Sequence, residues 1–99
     1  MILKIINGKL ELHKENGNFI RTICSNDVID ADLSKDETLV VVTFKNGKVE
    51  LRKENGNFVR TIVMSKATRA RFQSSDIAIT LDSGKIELRK ENGNFIRTI

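Results

Sequence analysis

The sequence predicts an all-β chain of antiparallel four-stranded repeats, about three of them, the first lacking its inner strand. Three observations carry this expectation. Three 17-residue segments align without gaps, Asn7 to Ile23, Asn46 to Ile62 and Ser83 to Ile99, and any two agree at 14 positions. Such self-similarity is read before any secondary structure, because a missed repeat misreads the whole fold. Within each segment apolar and charged residues alternate, which is the period of a half-buried strand. All six glycines lie inside the segments, at turn positions, and no stretch carries a capped helical period.

Taken in order, the first unit spans about residues 1–23. Its opening apolar residues align Met1 with Val40, so the chain enters inside a second strand and has no inner strand of its own at that end. Asn7-Gly8 then turns into Lys9–His13, and Asn16-Gly17 turns into Phe19–Ile23. The second unit, about 28–62, begins with the alternating Val28-Ile29-Asp30-Ala31-Asp32-Leu33. It continues with the near-continuous apolar run Leu39-Val40-Val41-Val42-Thr43-Phe44, as expected of a strand covered on both faces. The third unit, about 67–99, repeats the plan with Ala67–Phe72, Ile77–Leu81, Lys85–Lys90 and Phe95–Ile99. That gives eleven strands joined by short turns. Asn-Gly pairs such as Asn92-Gly93 are expected in hairpin turns with positive φ at both central residues.

The run from Val28 to Arg52 resembles the first three strands of a WD40-type β-propeller blade, and Asn57 to Ile62 resembles its outer strand. The family's Gly-His pair is absent, and Arg52-Lys53, His13-Lys14 and Arg89-Lys90 stand in place of its Trp-Asp pair. The resemblance implies blades of four strands, with the inner strands lining a central channel and the hairpins of the repeated segments at the outer rim. Propellers close with roughly four to eight blades, so three blades leave apolar faces and strand edges open. A head-to-tail homodimer giving six blades is the expected remedy. The alternatives are a half-propeller completed by another protein, or a β-barrel or sandwich made from the same hairpins.

Composition sets the remaining bounds. At 99 residues the chain allows one small domain, and a core of that size makes a lone chain only marginally stable. A single cysteine, Cys24, excludes an intramolecular disulfide and a cysteine-only metal cage. No apolar run reaches the roughly 18–20 residues that span a bilayer, and the first residues do not form a signal peptide. The expectation is a soluble, cytoplasmic protein with no membrane partner and no cofactor.

Charge places the candidate sites. Net charge is +4, and the excess sits on the repeated hairpins, where Lys48, Glu50 and Arg52 alternate as a mixed, solvated face. The two inner strands differ by a charge inversion: Asp30 aligns with Arg69, and Asp32 with Arg71. Paired across neighbouring blades, these four residues serve assembly. Read instead as a site, Arg69 and Arg71 with Lys66 would hold an anionic small molecule, such as a nucleotide or acidic metabolite, since Arg matches carboxylate and phosphate bidentately. Nucleic-acid binding is disfavoured: it needs exposed aromatics beside Arg21, Arg60 and Arg97, and core packing is the simpler reading of the repeated Phe19, Phe58 and Phe95.

Catalytic chemistry finds no constellation. His13 is read as an exposed strand histidine where the other units carry Arg52 and Arg89. Cys24 and Ser25 fall in the connection after the first unit without a second histidine to activate them. The acidic stretch of Asp27, Asp30, Asp32, Asp36 and Glu37 lacks the spacing and glycine of a calcium loop. The reading is therefore a non-enzymatic, oligomeric binding or interaction module without a metal, whose partners are itself, a protein, or an anionic small molecule.

Overall fold

The computed structural model describes residues 1–99. It is all-β, and its eleven strands are β1 (Ile2–Ile6), β2 (Lys9–His13), β3 (Phe19–Cys24), β4 (Val28–Leu33), β5 (Leu39–Phe44), β6 (Val49–Lys53), β7 (Phe58–Val63), β8 (Ala67–Gln73), β9 (Asp76–Leu81), β10 (Ile86–Lys90) and β11 (Phe95–Thr98). They form three antiparallel meander sheets: β1-β2-β3, then β4-β5-β6-β7, then β8-β9-β10-β11.

The repeated segments fold alike. In each, the hairpin turn closes with the glycine N–H bonded back three residues, as Gly56 N to Lys53 O at 2.9 Å, and with a second bond such as Lys53 N to Asn57 O at 2.8 Å. Only the glycine of these turns has positive φ. The expectation of two positive-φ residues therefore fails here, because a three-residue loop needs one left-handed residue after a type I turn. Asn7-Gly8 is the exception: both have positive φ, at 52° and 80°. That two-residue loop also shifts the first strand. Ile2 pairs with His13 as Val40 pairs with Arg52 and Ile77 with Arg89, so Ile2, not Met1, is the counterpart of Val40.

The sheets pack face to face, which follows from strand alternation in the middle one. Val40 and Val42 face the first sheet and join Leu10, Leu12, Ile23 and Cys24 in one apolar cluster. Val41, between them, faces the third sheet with Val49, Leu51, Ile62, Ala67, Ala70, Ile77 and Ile79. A strand buried on both faces reads as the continuous apolar run seen in β5. Burial of these side chains stabilises the stack by about 1.5–3 kcal/mol for each fully covered Val, Leu or Ile.

Backbone bonds tie the seams at equivalent points. Val28 N donates to Gly8 O and Ala67 N to Gly47 O, both at 3.0 Å. Asp27 and Lys66, just before these donors, hold positive φ of 63° and 73°, which turns the chain sharply into the inner strand of the next sheet. The approach at Gly47 is so close that a Cβ there would overlap the Lys66 backbone nitrogen.

Candidate interaction site

The seams between sheets carry the polar chemistry of the molecule. On β6, residues two apart share a face. Arg52 donates to Glu50 Oε1 from Nε at 3.2 Å and Nη2 at 2.9 Å, and from Nη1 to the Gly56 carbonyl at 3.0 Å. Lys48 Nζ adds an ion pair to Glu50 Oε2 at 2.8 Å. The same clasp recurs on β10, where Arg89 reaches Glu87 and Gly93 O. On β2, His13 takes the arginine's place: Nε2 lies 2.9 Å from Glu11 Oε1, and Nδ1 lies 3.0 Å from Gly17 O.

Two sequence expectations are overturned by this arrangement. The Glu50 side chain is only 8% exposed, so Lys48, Glu50 and Arg52 are not a solvated face. They lie beside Val40 and Val42 in the seam, and their charges are neutralised within the clasp. His13 is 7% exposed rather than an exposed drift position, because it fills the arginine's seat against Glu11 and the Phe19 ring, whose centroid is 5.7 Å away. The spacing Glu-x-Arg/His-x-x-x-Gly stands in every unit, so strand alternation applied to the repeat contains the signal for this clasp.

Charge states follow the geometry. Burial pushes the Glu50 carboxyl up, but Lys48 and Arg52 outweigh it and hold it below its ordinary value. Lys9, then His13, hold the Glu11 carboxyl below its ordinary range. Cys24 closes β3 as a buried strand residue rather than a connection residue, and burial pushes its thiol up, away from the reactive thiolate.

The inner strands meet through the residues of the charge inversion. Arg71 Nη1 donates to Asp30 Oδ2 at 2.5 Å, and the bond to Asp30 raises the guanidinium pKa. Asp32 Oδ2 accepts the Phe72 N–H at 2.8 Å, and Asp30 Oδ2 accepts the Ala70 N–H at 3.3 Å. The acidic pair of β4 thus serves the unpaired edge of β8 as much as its arginines. Arg69 is exposed and has no ion-pair partner, so the four residues do not form two pairs. Lys66 lines a separate cleft between the second and third sheets with Ile62, Leu81, Glu87 and Arg89; Arg69 and Arg71 do not line it. A cleft of about 420 Å³ at the first seam is lined by Asp27, Phe44, Glu50 and Arg52, the counterparts of Lys66, Leu81, Glu87 and Arg89, and by Lys48.

Core packing of the three repeated phenylalanines fails as well. Phe19, Phe58 and Phe95 are 55%, 55% and 53% exposed. The outer strand of each sheet carries a register shift, with Arg52 opposite Phe58 and Leu51 opposite Arg60. Such a bulge resets the alternation: Val59 and Ile62 pack into the seam, and Phe58 is left at the rim. Arg89 lies over the Phe95 ring at 5.8 Å.

No group of three His, Cys, Asp or Glu side chains is placed to hold a metal ion, and no helix is long and apolar enough to cross a membrane. Fold and seams together define a repeat protein of stacked antiparallel sheets held by a recurring glutamate-arginine clasp. The chain belongs to the IceA2 family, described as Helicobacter pylori IceA2 protein, whose family model matches residues 1–62. That match covers the first sheet and all but the last residue of the second, and leaves the third repeat outside it. No curated protein matches the chain.

Proposed function

We propose that this chain is a non-enzymatic interaction module with propeller-like blades, which works as a ring of copies, a six-bladed homodimer, and presents a repeated rim to a protein partner. The observation that carries this reading is the set of equivalent phenylalanines Phe19, Phe58 and Phe95, each more than half exposed at the same place on an outer strand. Exposed aromatics beside cations are the side chains that dominate protein interfaces, and a ring repeats them at regular intervals. The polar groups of the seams favour the same reading: the histidine and glutamates that chemistry would need are engaged in the clasps, and Arg71 is held by Asp30.

The test compares immobilised wild-type protein with a variant carrying Phe19→Ser, Phe58→Ser and Phe95→Ser, both exposed to extract of the source cells. Proteins retained by the wild type and lost by a variant of unchanged mass and melting temperature support the rim as the binding surface. Equal retention by both sinks it.

A further inference from the structure

We infer that a second copy of this chain seats its first sheet on the free face of the third sheet, repeating the seam found twice within the chain. This rests on the ring reading above and deepens it by naming the contact through which copies meet.

The repeat supplies a direct comparison of covered and uncovered positions. Ile23, Ile62 and Ile99 are equivalent. Ile23 and Ile62 are each 5% exposed under the following sheet, whereas Ile99 is 67% exposed. Its neighbours on that face are Ala78, Thr80, Ile86 and Leu88, which correspond in register to Val41, Thr43, Val49 and Leu51. All four of the latter are at most 2% exposed, because the third sheet covers them. The third sheet therefore carries the equivalent face with no sheet upon it; Ile99 is open there, Ala78, Thr80 and Ile86 are half-buried, and Leu88 is already buried.

The opposite end of the chain carries the matching half. In the inner seams a following sheet presents two apolar residues beside its clasp: Val40 and Val42 with Glu50 and Arg52, then Ile77 and Ile79 with Glu87 and Arg89. The face of the first sheet turned away from the second carries Ile2 and Lys4 beside Glu11 and His13 in the same register; Ile2 and Lys4 are exposed, while Glu11 and His13 are buried, so the first two form the surface a partner meets. Its hairpin turn agrees. The Cβ position of Gly56 lies 3.6 Å from Ile23 O, and that of Gly93 lies 3.8 Å from Thr61 O, both on the preceding sheet; at Gly17 no atom lies within 4 Å. The end of β11 from another copy would occupy that place. Continuity with two existing seams selects a second copy as the occupant, and a head-to-tail contact of this kind closes when the rotation permits.

The contact between copies is weaker than the internal ones, and the reason is local. The second seam is filled partly by Ala67 and Ala70 of β8, beside Ile77 and Ile79. Lys4 stands where Val42 and Ile79 stand. Association is therefore reversible and depends on concentration.

The test is mass in solution by light scattering over a concentration series. The wild type is expected to rise toward about 22 kDa, twice the 11.2 kDa chain. Ile99→Asp, at an exposed position, and Ile2→Asp, on the opposite face, should each halve that mass while the circular-dichroism melt is unchanged. An equimolar mixture of the two variants should recover association through one intact seam, the first sheet of Ile99→Asp on the third sheet of Ile2→Asp, at higher concentration than the wild type needs. A wild type that stays at the monomer mass overturns both the ring reading and this contact. An oligomer indifferent to both substitutions, or variants that do not rescue each other, overturns this contact and the six-bladed ring with it, and leaves standing the phenylalanine rim as a protein-binding surface, which the serine variants test separately.

Discussion

Arg52 stands two residues after Glu50 on β6, donating to Glu50 Oε1 from two nitrogens and to the Gly56 carbonyl from the third, at 2.9–3.2 Å. One guanidinium thus neutralises a buried carboxylate and fastens the hairpin turn behind it. This lets a charged strand share a seam with Val40 and Val42, which pack on Leu10 and Leu12 of the neighbouring sheet, without an unpaired charge.

Removing the arginine alone is therefore expected to cost more than removing the pair. Arg52→Ala leaves Glu50 buried with Lys48 as its remaining partner, a loss of about 2–3 kcal/mol. The double variant Glu50→Ala with Arg52→Ala should recover part of that loss. Urea unfolding of the four members of this cycle decides the matter, and additive losses would show that the two side chains are not coupled.

Acid stability has a defined sign. The Glu50 carboxyl titrates below its ordinary value of 4.5 because Lys48 and Arg52 outweigh the opposing effect of burial. A carboxyl held low in the folded state stabilises that state above its unfolded value, and the contribution disappears as pH falls through the folded one. Glu11 and Asp36 are also held low, Glu11 by Lys9 and His13 and Asp36 by Ser34 and Thr38, so the whole protein loses stability below about pH 4.5. Glu50→Gln should flatten the fall of melting temperature across that window. A fall as steep as that of the wild type would remove Glu50 as a cause.

The repeat makes the strands and their order legible in the sequence alone, because alternation and turn residues recur in three registers and chance matches in one unit are exposed by the other two. What it did not disclose was which side of a strand meets another sheet. Lys48, Glu50 and Arg52 look solvent-facing in any single unit, since a charged residue two places from another is ordinarily wet; it is the clasp that makes burial tolerable. The phenylalanines were misplaced for a different reason. A bulge between Arg52 and Leu51 shifts the outer strand by one residue, and no composition or period announces it.

His13 supplies a prediction drawn from the repeat itself. It holds the seat of Arg52 and Arg89, bridging Glu11 and Gly17 O. His13→Arg should restore the sequence of the other units and leave stability within about 0.5 kcal/mol of wild type. His13→Ala strips two hydrogen bonds from a buried carboxylate and a turn carbonyl, with an expected loss of about 1–2 kcal/mol. Thermal melts of the two variants separate a structural histidine from a dispensable one, and an alanine variant as stable as wild type would assign it no structural role.

Gly47 and Gly84 occupy the same turn position with φ of 89° and 90°, yet their surroundings differ. A Cβ at Gly47 would overlap the Lys66 backbone, while none of the atoms around Gly84 comes within 4 Å of that position. Alanine at either site meets the left-handed backbone penalty of about 1–2 kcal/mol. At Gly47 it must also force apart the seam where Ala67 N donates to Gly47 O at 3.0 Å, and the total should exceed about 4 kcal/mol. Denaturant midpoints of Gly47→Ala and Gly84→Ala measure the difference directly, and that difference is the contribution of close sheet approach alone, because backbone strain is common to both. Equal losses in the two variants would mean that the inner strand of the third sheet does not press on this turn.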